Sequence, residues 1–347
     1  IAPSLVGSEM CIRDRISSEI KKNNGLISKS DLKNYSPVWR EPLISNYRDT
    51  EIITMGPPSS GGLHVIQMLN ILENYDLKKI GHNSLEYINL LTEVMKFAYA
   101  DRSKYLGDPD FYDVPIKKIT SKKYANDINE NIQIGKLTPV NEINPGKYMD
   151  GESHETTHFS VVDKTGNVIS MTYTLNSTFG SKVVIEGTGI LMNNEMDDFS
   201  AAPGIPNQFN LLGAEANEIA PFKRPLSSMT PTIVLKDKEL FFTTGSPGGA
   251  RIISAVLQSI LNIVDFDMNL EETTSAKRIH HQWYPDILEY EFTLDNTIEK
   301  SLIKMGYKIE SKLPLTCLQT IMFSNGMYYG YGDFRRVDAL ASGNIND

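Results

Sequence analysis

Cysteine is nearly absent: Cys11 and Cys317 are the only two in 347 residues. Two thiols cannot make a disulfide framework, and neither sits in a CxxC pair or at metal-ligand spacing, so the redox compartment is left open. Long apolar runs are missing as well. The most hydrophobic stretches are broken by charges such as Glu93 and Lys96, short of the roughly 18 uninterrupted residues a spanning helix needs. Basic clusters are also lacking. Lys and Arg are scattered, and 34 of them against 43 acidic residues give a net charge of -9 and a pI near 5.3. That leaves no electrostatic footprint for a polyanion, so nucleic acid is not an expected partner. The His280-His281 pair precedes Gln282-Trp283-Tyr284 with no carboxylate at ligand spacing. It reads as packed or capping histidine, and no metal is assigned. No internal repeat or low-complexity tract occurs.

What remains is the composition of a soluble globule, 40% hydrophobic and 22% charged, enough for one large or two ordinary domains. The chain opens on Ile1, and residues 1–15 (IAPSLVGSEMCIRDR) carry no periodic element and no apolar signal region. They read as a non-native tail, similar to adapter-derived sequence translated at the edge of an assembled read, which would make the sequence a fragment. From Ile16 to about Asp110 the pattern is mainly helical. Pro57 to Gly62 (PPSSGG) leads into an apolar helix from Leu63 to Leu72. A second helix is predicted to start with Asn83 as N-cap and Glu86 three residues on, with Ile88, Leu91, Met95 and Ala98 at helical spacing. Asp110 to Ser153, rich in Lys, Asn and Pro, reads as a linker or exposed loop.

After Glu155 the pattern turns to strands. Thr157 to Val162 and Val168 to Thr174 flank Asp163-Lys164-Thr165-Gly166-Asn167, where the glycine can supply the left-handed residue of a three-residue hairpin loop. If Asp163 pairs with Asn167, paired residue numbers total a constant, and Thr156 stands opposite Thr174. A second hairpin, Thr232 to Leu235 and Leu240 to Thr244, runs into Gly245-Ser246-Pro247-Gly248-Gly249 and then a helix from Ile252 to about Val264. Taken singly, these segments are bland. GSPGG lacks the lysine of a phosphate loop and suits a tight strand-to-helix turn. Glu195, Asp197 and Asp198 suit a solvated acidic turn, and Ser227-Ser228 a surface loop.

Taken in order, they are not bland. Glu155-Thr156-Thr157-His158-Phe159-Ser160-Val161-Val162-Asp163, Thr172-Tyr173-Thr174-Leu175-Asn176, Asn193-Asn194-Glu195-Met196-Asp197-Asp198-Phe199, Arg224-Pro225-Leu226-Ser227-Ser228-Met229 and Gly245-Ser246-Pro247-Gly248-Gly249 resemble the γ-glutamyltranspeptidases in sequence and spacing. PPSSGG and YADRSKYLGDPD, further upstream, resemble that family's larger subunit, so the likeness covers about Ile16 to the C-terminus.

The resemblance implies an α+β fold, the αββα four-layer sandwich of N-terminal-nucleophile hydrolases. Residues 16–155 would be the C-terminal part of the large subunit, and residues 156–347 the small catalytic subunit. Thr156 would cut the Glu155 to Thr156 bond and then act as nucleophile, its freed α-amine serving as base. Thr174 would hydrogen-bond that nucleophile, and Gly248 and Gly249 would offer an oxyanion hole. Asn176, Glu195 and Asp198 would hold the substrate α-ammonium, and Ser227 and Ser228 its α-carboxylate. The substrates implied are glutathione and other γ-glutamyl amides, with the two subunits as a heterodimer, no cofactor, and a periplasmic or secreted location. Two departures stand out: Phe209 replaces an aromatic hydroxyl in the loop roofing the pocket, and the family's carboxylate-pairing arginine belongs to a part of the large subunit not in this sequence. The alternatives are another acylase of the same fold, of glutaryl-cephalosporin or poly-γ-glutamate type, or a non-enzymatic, unprocessed fragment.

Overall fold

The computed structural model describes residues 3–143, 156–200, 202, 205, 207, 211–312 and 314–343, the side chains of residues 3–10 excepted. Glu155 and Phe209 lie outside the described residues. The upstream half runs α1 (Pro3–Lys22), α2 (Lys29–Asn34), β1 (Leu43–Tyr47), β2 (Thr50–Thr54), α3 (Gly61–Leu72), α4 (Leu77–Ile80), α5 (Leu85–Tyr105), α6 (Ile116–Ile119) and α7 (Lys122–Asn129). The downstream half opens with the hairpin β3 (Thr157–Val162) and β4 (Val168–Tyr173), then the short pair β5 (Val184–Ile185) and β6 (Ile190–Leu191). It continues as β7 (Thr232–Lys236), β8 (Glu239–Thr244), α8 (Arg251–Val264), α9 (Leu270–Ser275), β9 (Ile279–His280) and β10 (Leu288–Glu291). The last elements are α10 (Asn296–Met305), β11 (Ile309–Lys312), β12 (Gln319–Ser324) and β13 (Met327–Gly332).

The two halves share one antiparallel sheet in the order β1-β2-β7-β8-β12-β13. One rung crosses four strands as Ile52, Val234, Phe242 and Met322, all buried in a core shared with α3, α5 and α8. Two residues along, the same face carries Thr54, Thr232, Thr244 and Thr320, also buried, with hydroxyl pairs at 3.0 Å (Thr54 and Thr232) and 2.8 Å (Thr244 and Thr320). Apolar side chains thus hold the helices, while the threonines satisfy one another where the strands approach the site. The hairpin β3–β4 packs on β7, β8 and β12, with Ser160 Oγ donating to the Gln319 carbonyl and Ser170 Oγ to that of Thr244, both at 3.3 Å. Helix layer, large sheet and facing hairpin make an α+β sandwich, as expected.

Four details differ from the sequence reading. The stretch from Ile16 to Asp110 contains β1 and β2, two five-residue strands too short to register against the helices around them, reversing at Arg48 with φ +53°. The cap of α5 is Ser84, whose Oγ accepts from Tyr87 N at 3.1 Å. Asn83 instead has φ +54° and donates to the Lys277 carbonyl. Part of Asp110 to Ser153 is neither linker nor exposed: α6 and α7 bury Ile119, Ala125 and Ile128, and Ile132, Val140 and Ile143 follow them into the core. The intervening lysines and asparagines masked that spacing. Finally, much of residues 1–15 is helical in α1, because Ser8 to Lys22 contains no glycine or proline and backbone propensity suffices.

The charges that break the apolar stretch of α5 are themselves buried. Lys96 pairs with Glu93 at 2.6 Å, both side chains fully enclosed, and the pair pins the loop after α7 through Lys96 Nζ to the Thr138 carbonyl and Thr138 N to Glu93. No described helix is long and apolar enough to cross a membrane.

Candidate active site

The site begins with a turn. Asp163 Oδ1 accepts from the backbone N–H groups of Thr165 and Asn167 at 2.8 and 3.0 Å, and Gly166 takes φ +85°. This fixes the β3–β4 register, Thr157 facing Tyr173 through Val162 facing Val168, as the constant total of paired numbers predicts. One step beyond the ladder, Thr156 meets Thr174. Thr156 Oγ1 donates to Thr174 Oγ1 at 3.4 Å, and Thr174 Oγ1 accepts from Asn176 N at 2.8 Å. Asn176 is 3% exposed with φ +74°, a left-handed position asparagine tolerates better than most residues. That bend turns its carboxamide toward Asp198, which it hydrogen-bonds.

His158 offers no base. Its Nδ1 lies 2.7 Å from Thr172 Oγ1 and its Nε2 3.2 Å from Ser160 Oγ, and burial holds its pKa down at about 4. The ring lies flat against Gly245, where a Cβ would meet three ring atoms at 2.1 to 2.5 Å. His158 therefore sets the spacing between the hairpin and the end of β8.

Thr156, Thr174, Asn176, Asp198, Ser227, Ser228 and Gly249 line one pocket, together with Arg102 and an apolar wall that includes Leu211, Leu226 and Ile252. Two expected residues are adjacent to it and not in its lining. Gly248 precedes Gly249 at the N-terminus of α8, with φ +134° and +55° respectively. Glu195 shares the 3₁₀ turn Glu195–Asp198 with Asp198. The acidic turn is not wholly solvated: burial first, then the charge of Glu195, pushes Asp198 up to about 7, against the pull of Arg102 and the Asn176 hydrogen bond. Burial also raises Glu195.

The serine pair is built by the upstream half. Ser60 N and Oγ both donate to the Ser227 carbonyl at 2.8 Å, Ser227 N donates to the Pro58 carbonyl at 2.9 Å, and Ser59 Oγ donates to the Met229 carbonyl at 2.6 Å. The PPSSGG motif is thus the clasp of the Ser227-Ser228 loop. Its glycines allow the approach: a Cβ on Gly61 would lie 2.0 Å from Thr230 Oγ1. Sequence reasoning missed these contacts, and it missed Arg102, which lies within the upstream YADRSKYLGDPD motif. The pair His280-His281 packs in the core, His280 Nδ1 being 2.8 Å from Ser254 Oγ and its Nε2 2.9 Å from Gln282 Oε1. No metal-binding group of three occurs among the described residues.

The whole sandwich superposes on the crystal structure of cephalosporin acylase from Bacillus halodurans with TM-score 0.80 at 26% identity, over 93% of this chain and 57% of that one. This is the fold of the N-terminal-nucleophile hydrolases. A family model described as gamma-glutamyltranspeptidase matches residues 11–343, and the glutathione hydrolase proenzyme of Escherichia coli (strain K12) is 50% identical over 333 residues, 96% of this chain and 57% of that protein. A structure of γ-glutamyltranspeptidase from Pseudomonas nitroreducens, complexed with L-DON, is 41% identical with TM-score 0.52, over 55% of this chain and all of that one. The chain belongs to the γ-glutamyltranspeptidase family. It spans little more than half the length of the curated relatives it matches.

Proposed function

We propose that the protein is a self-processing γ-glutamyltransferase and glutathione hydrolase with Thr156 as nucleophile. The observation that carries this reading is the meeting of Thr156 and Thr174 at a pocket that holds a carboxylate, Asp198, on one side and two hydroxyls, Ser227 and Ser228, on the other. An amino-acid head group needs both halves: a carboxylate for its ammonium, and donors for its carboxylate.

In the precursor, the Thr156 hydroxyl attacks the Glu155 carbonyl. The C–N bond breaks as the C–O ester forms, and water hydrolyses the ester to leave a Glu155 carboxylate and a free Thr156 amine. A hydroxyl needs an adjacent base, and an α-amine with a pKa of about 7.7 to 8.0 serves near neutral pH. The same oxygen then attacks a γ-glutamyl amide, the α-amine taking its proton and passing it to the leaving amine. The resulting γ-glutamyl ester goes to water or to an amino acid or peptide amine. Backbone N–H groups around Gly248 and Gly249 face the developing oxyanion, and Thr174 keeps the nucleophile oriented.

Residues 16–155 would then be the C-terminal part of a large subunit and 156–347 a small one, held as a heterodimer through the shared sheet. The share of this chain that covers the whole Pseudomonas nitroreducens chain, 55%, equals the share occupied by residues 156–347, 192 of 347. Residues 1–15 remain a proposed non-native tail, and an exported location remains part of the same reading. Asp198 favours γ-glutamyl over glutaryl acyl groups, which lack the ammonium.

The test is turnover of a γ-glutamyl anilide against its glutaryl counterpart, with and without an amine acceptor. Preference for γ-glutamyl substrate and acceptor-dependent product support the reading; preference for the glutaryl compound contradicts it.

A further inference from the structure

Arg102 is a buried cation with no ion pair among the described residues. It is 4% exposed, sits on α5 in the wall of the pocket, and donates to two serine hydroxyls, Ser60 Oγ from Nε at 2.9 Å and Ser228 Oγ from Nη2 at 3.1 Å. Enclosing an unpaired charge is costly, and burial lowers this guanidinium to about 10. Few sites keep such a group without using it.

Its two contacts organise the serine pair. A guanidinium has donors only, so Ser228 Oγ accepts from it and its own hydrogen must point elsewhere. Ser60 Oγ accepts from Arg102 and donates to the Ser227 carbonyl at 2.8 Å, while Ser227 Oγ accepts from Met229 N at 3.1 Å. Both serines of the pair thus meet an N–H on the oxygen and keep their hydrogens for the pocket. The positive charge of Arg102 also acts on Asp198. Glu195 and Asp197, from the turn that carries Asp198, act in the opposite sense, and Asn176 at the end of β4 hydrogen-bonds it.

We propose that Arg102 is a positioning residue of this pocket, fixing the Ser228 hydroxyl as a donor to an anionic substrate group, while its positive charge, in the same pocket as Asp198, opposes protonation of the carboxylate that takes a cationic one. One side chain on the upstream half thereby prepares both ends of the site. The inference rests on the γ-glutamyl reading and adds to it how the two charges of the head group are accommodated together.

The experiment compares Arg102→Met, Arg102→Lys and Ser60→Ala in the full-length precursor, following self-cleavage, melting temperature and the pH profile of kcat/KM for a γ-glutamyl anilide. Arg102→Met should move the acid limb upward by about 1 pH unit, the size of one lost opposite charge nearby. It should also raise KM about tenfold, the size of one hydrogen bond to a charged group. Arg102→Lys should leave the limb in place and raise KM alone, because an ammonium cannot reproduce a fork across two hydroxyls. A purely structural role would lower the melting temperature and leave the limb unmoved. An unmoved limb in Arg102→Met, or an equal shift in Arg102→Lys, overturns the inference. If Arg102→Met fails to fold or to cleave, Arg102→Lys and Ser60→Ala decide: raised KM with an unmoved limb in both supports it, and wild-type KM in either overturns it. A wild-type enzyme inactive on γ-glutamyl anilide would overturn the functional reading and this inference together, whereas an active one with an unmoved limb in Arg102→Met overturns this inference alone.

Discussion

Thr156 and Thr174 face each other one step beyond the last rung of the β3–β4 ladder, their hydroxyl oxygens 3.4 Å apart. Thr174 is occupied on its far side by Asn176 N, so it is held still while it receives the Thr156 hydroxyl. Thr174→Val keeps the shape and removes the acceptor. It is expected to slow both self-cleavage and turnover by roughly 10²-fold, the lower end of what a positioned proton partner contributes, whereas Thr174→Ser should retain most activity. Rates of precursor loss on gels and kcat for a γ-glutamyl anilide check this; wild-type rates in Thr174→Val would remove Thr174 from the mechanism.

Asp198→Asn separates substrate classes. Removing one partner of a buried charge pair costs about 2 to 5 kcal/mol, and that loss should fall on γ-glutamyl substrates and largely spare glutaryl ones. Equal losses in kcat/KM for the two would contradict the assignment of Asp198 to the ammonium.

The pH dependence follows from the same carboxylate. Burial and the neighbouring Glu195 push Asp198 up to about 7, so below that pH it is protonated, neutral and unable to hold an ammonium. kcat/KM for γ-glutamyl substrates should fall as pH drops through about 7, in addition to the loss that protonation of the Thr156 amine brings from about 8 downward. Glu195→Gln relieves the like charge and should move this limb to lower pH. A limb that stays put, or moves upward, would mean that another group sets it.

Gly245→Ala tests the packing beneath the nucleophile. A Cβ there would lie 2.1 to 2.5 Å from three atoms of the His158 ring, and overpacking of this kind costs about 1 to 3 kcal/mol. A lower melting temperature and slower self-cleavage are expected together, since His158 is two residues from Thr156. Unchanged stability would show that the ring can move aside.

The hairpin and its register were legible because they are local: Asp163, Gly166 and Asn167 determine the turn, and alternation does the rest. The order of the motifs gave away the family for the same reason. Arg102 was not legible, since its meaning comes from Ser60 and Ser228, 42 and 126 residues away, and nothing in its own surroundings says it will be buried. Strands β1 and β2 went unread because each is five residues long and the pair joins the sheet only through β2 and β7, far downstream. The buried pair Glu93 and Lys96 looks in sequence like a break in an apolar stretch.

The bond before Thr156 is the one the nucleophile must break first, and intact mass with N-terminal sequencing of the purified full-length protein tests its cleavage most directly. The prediction is two chains, the smaller beginning Thr-Thr-His-Phe, and a single uncleaved chain in Thr156→Ala. Cleavage at that bond in Thr156→Ala, or a wild-type protein that stays in one piece, would contradict it.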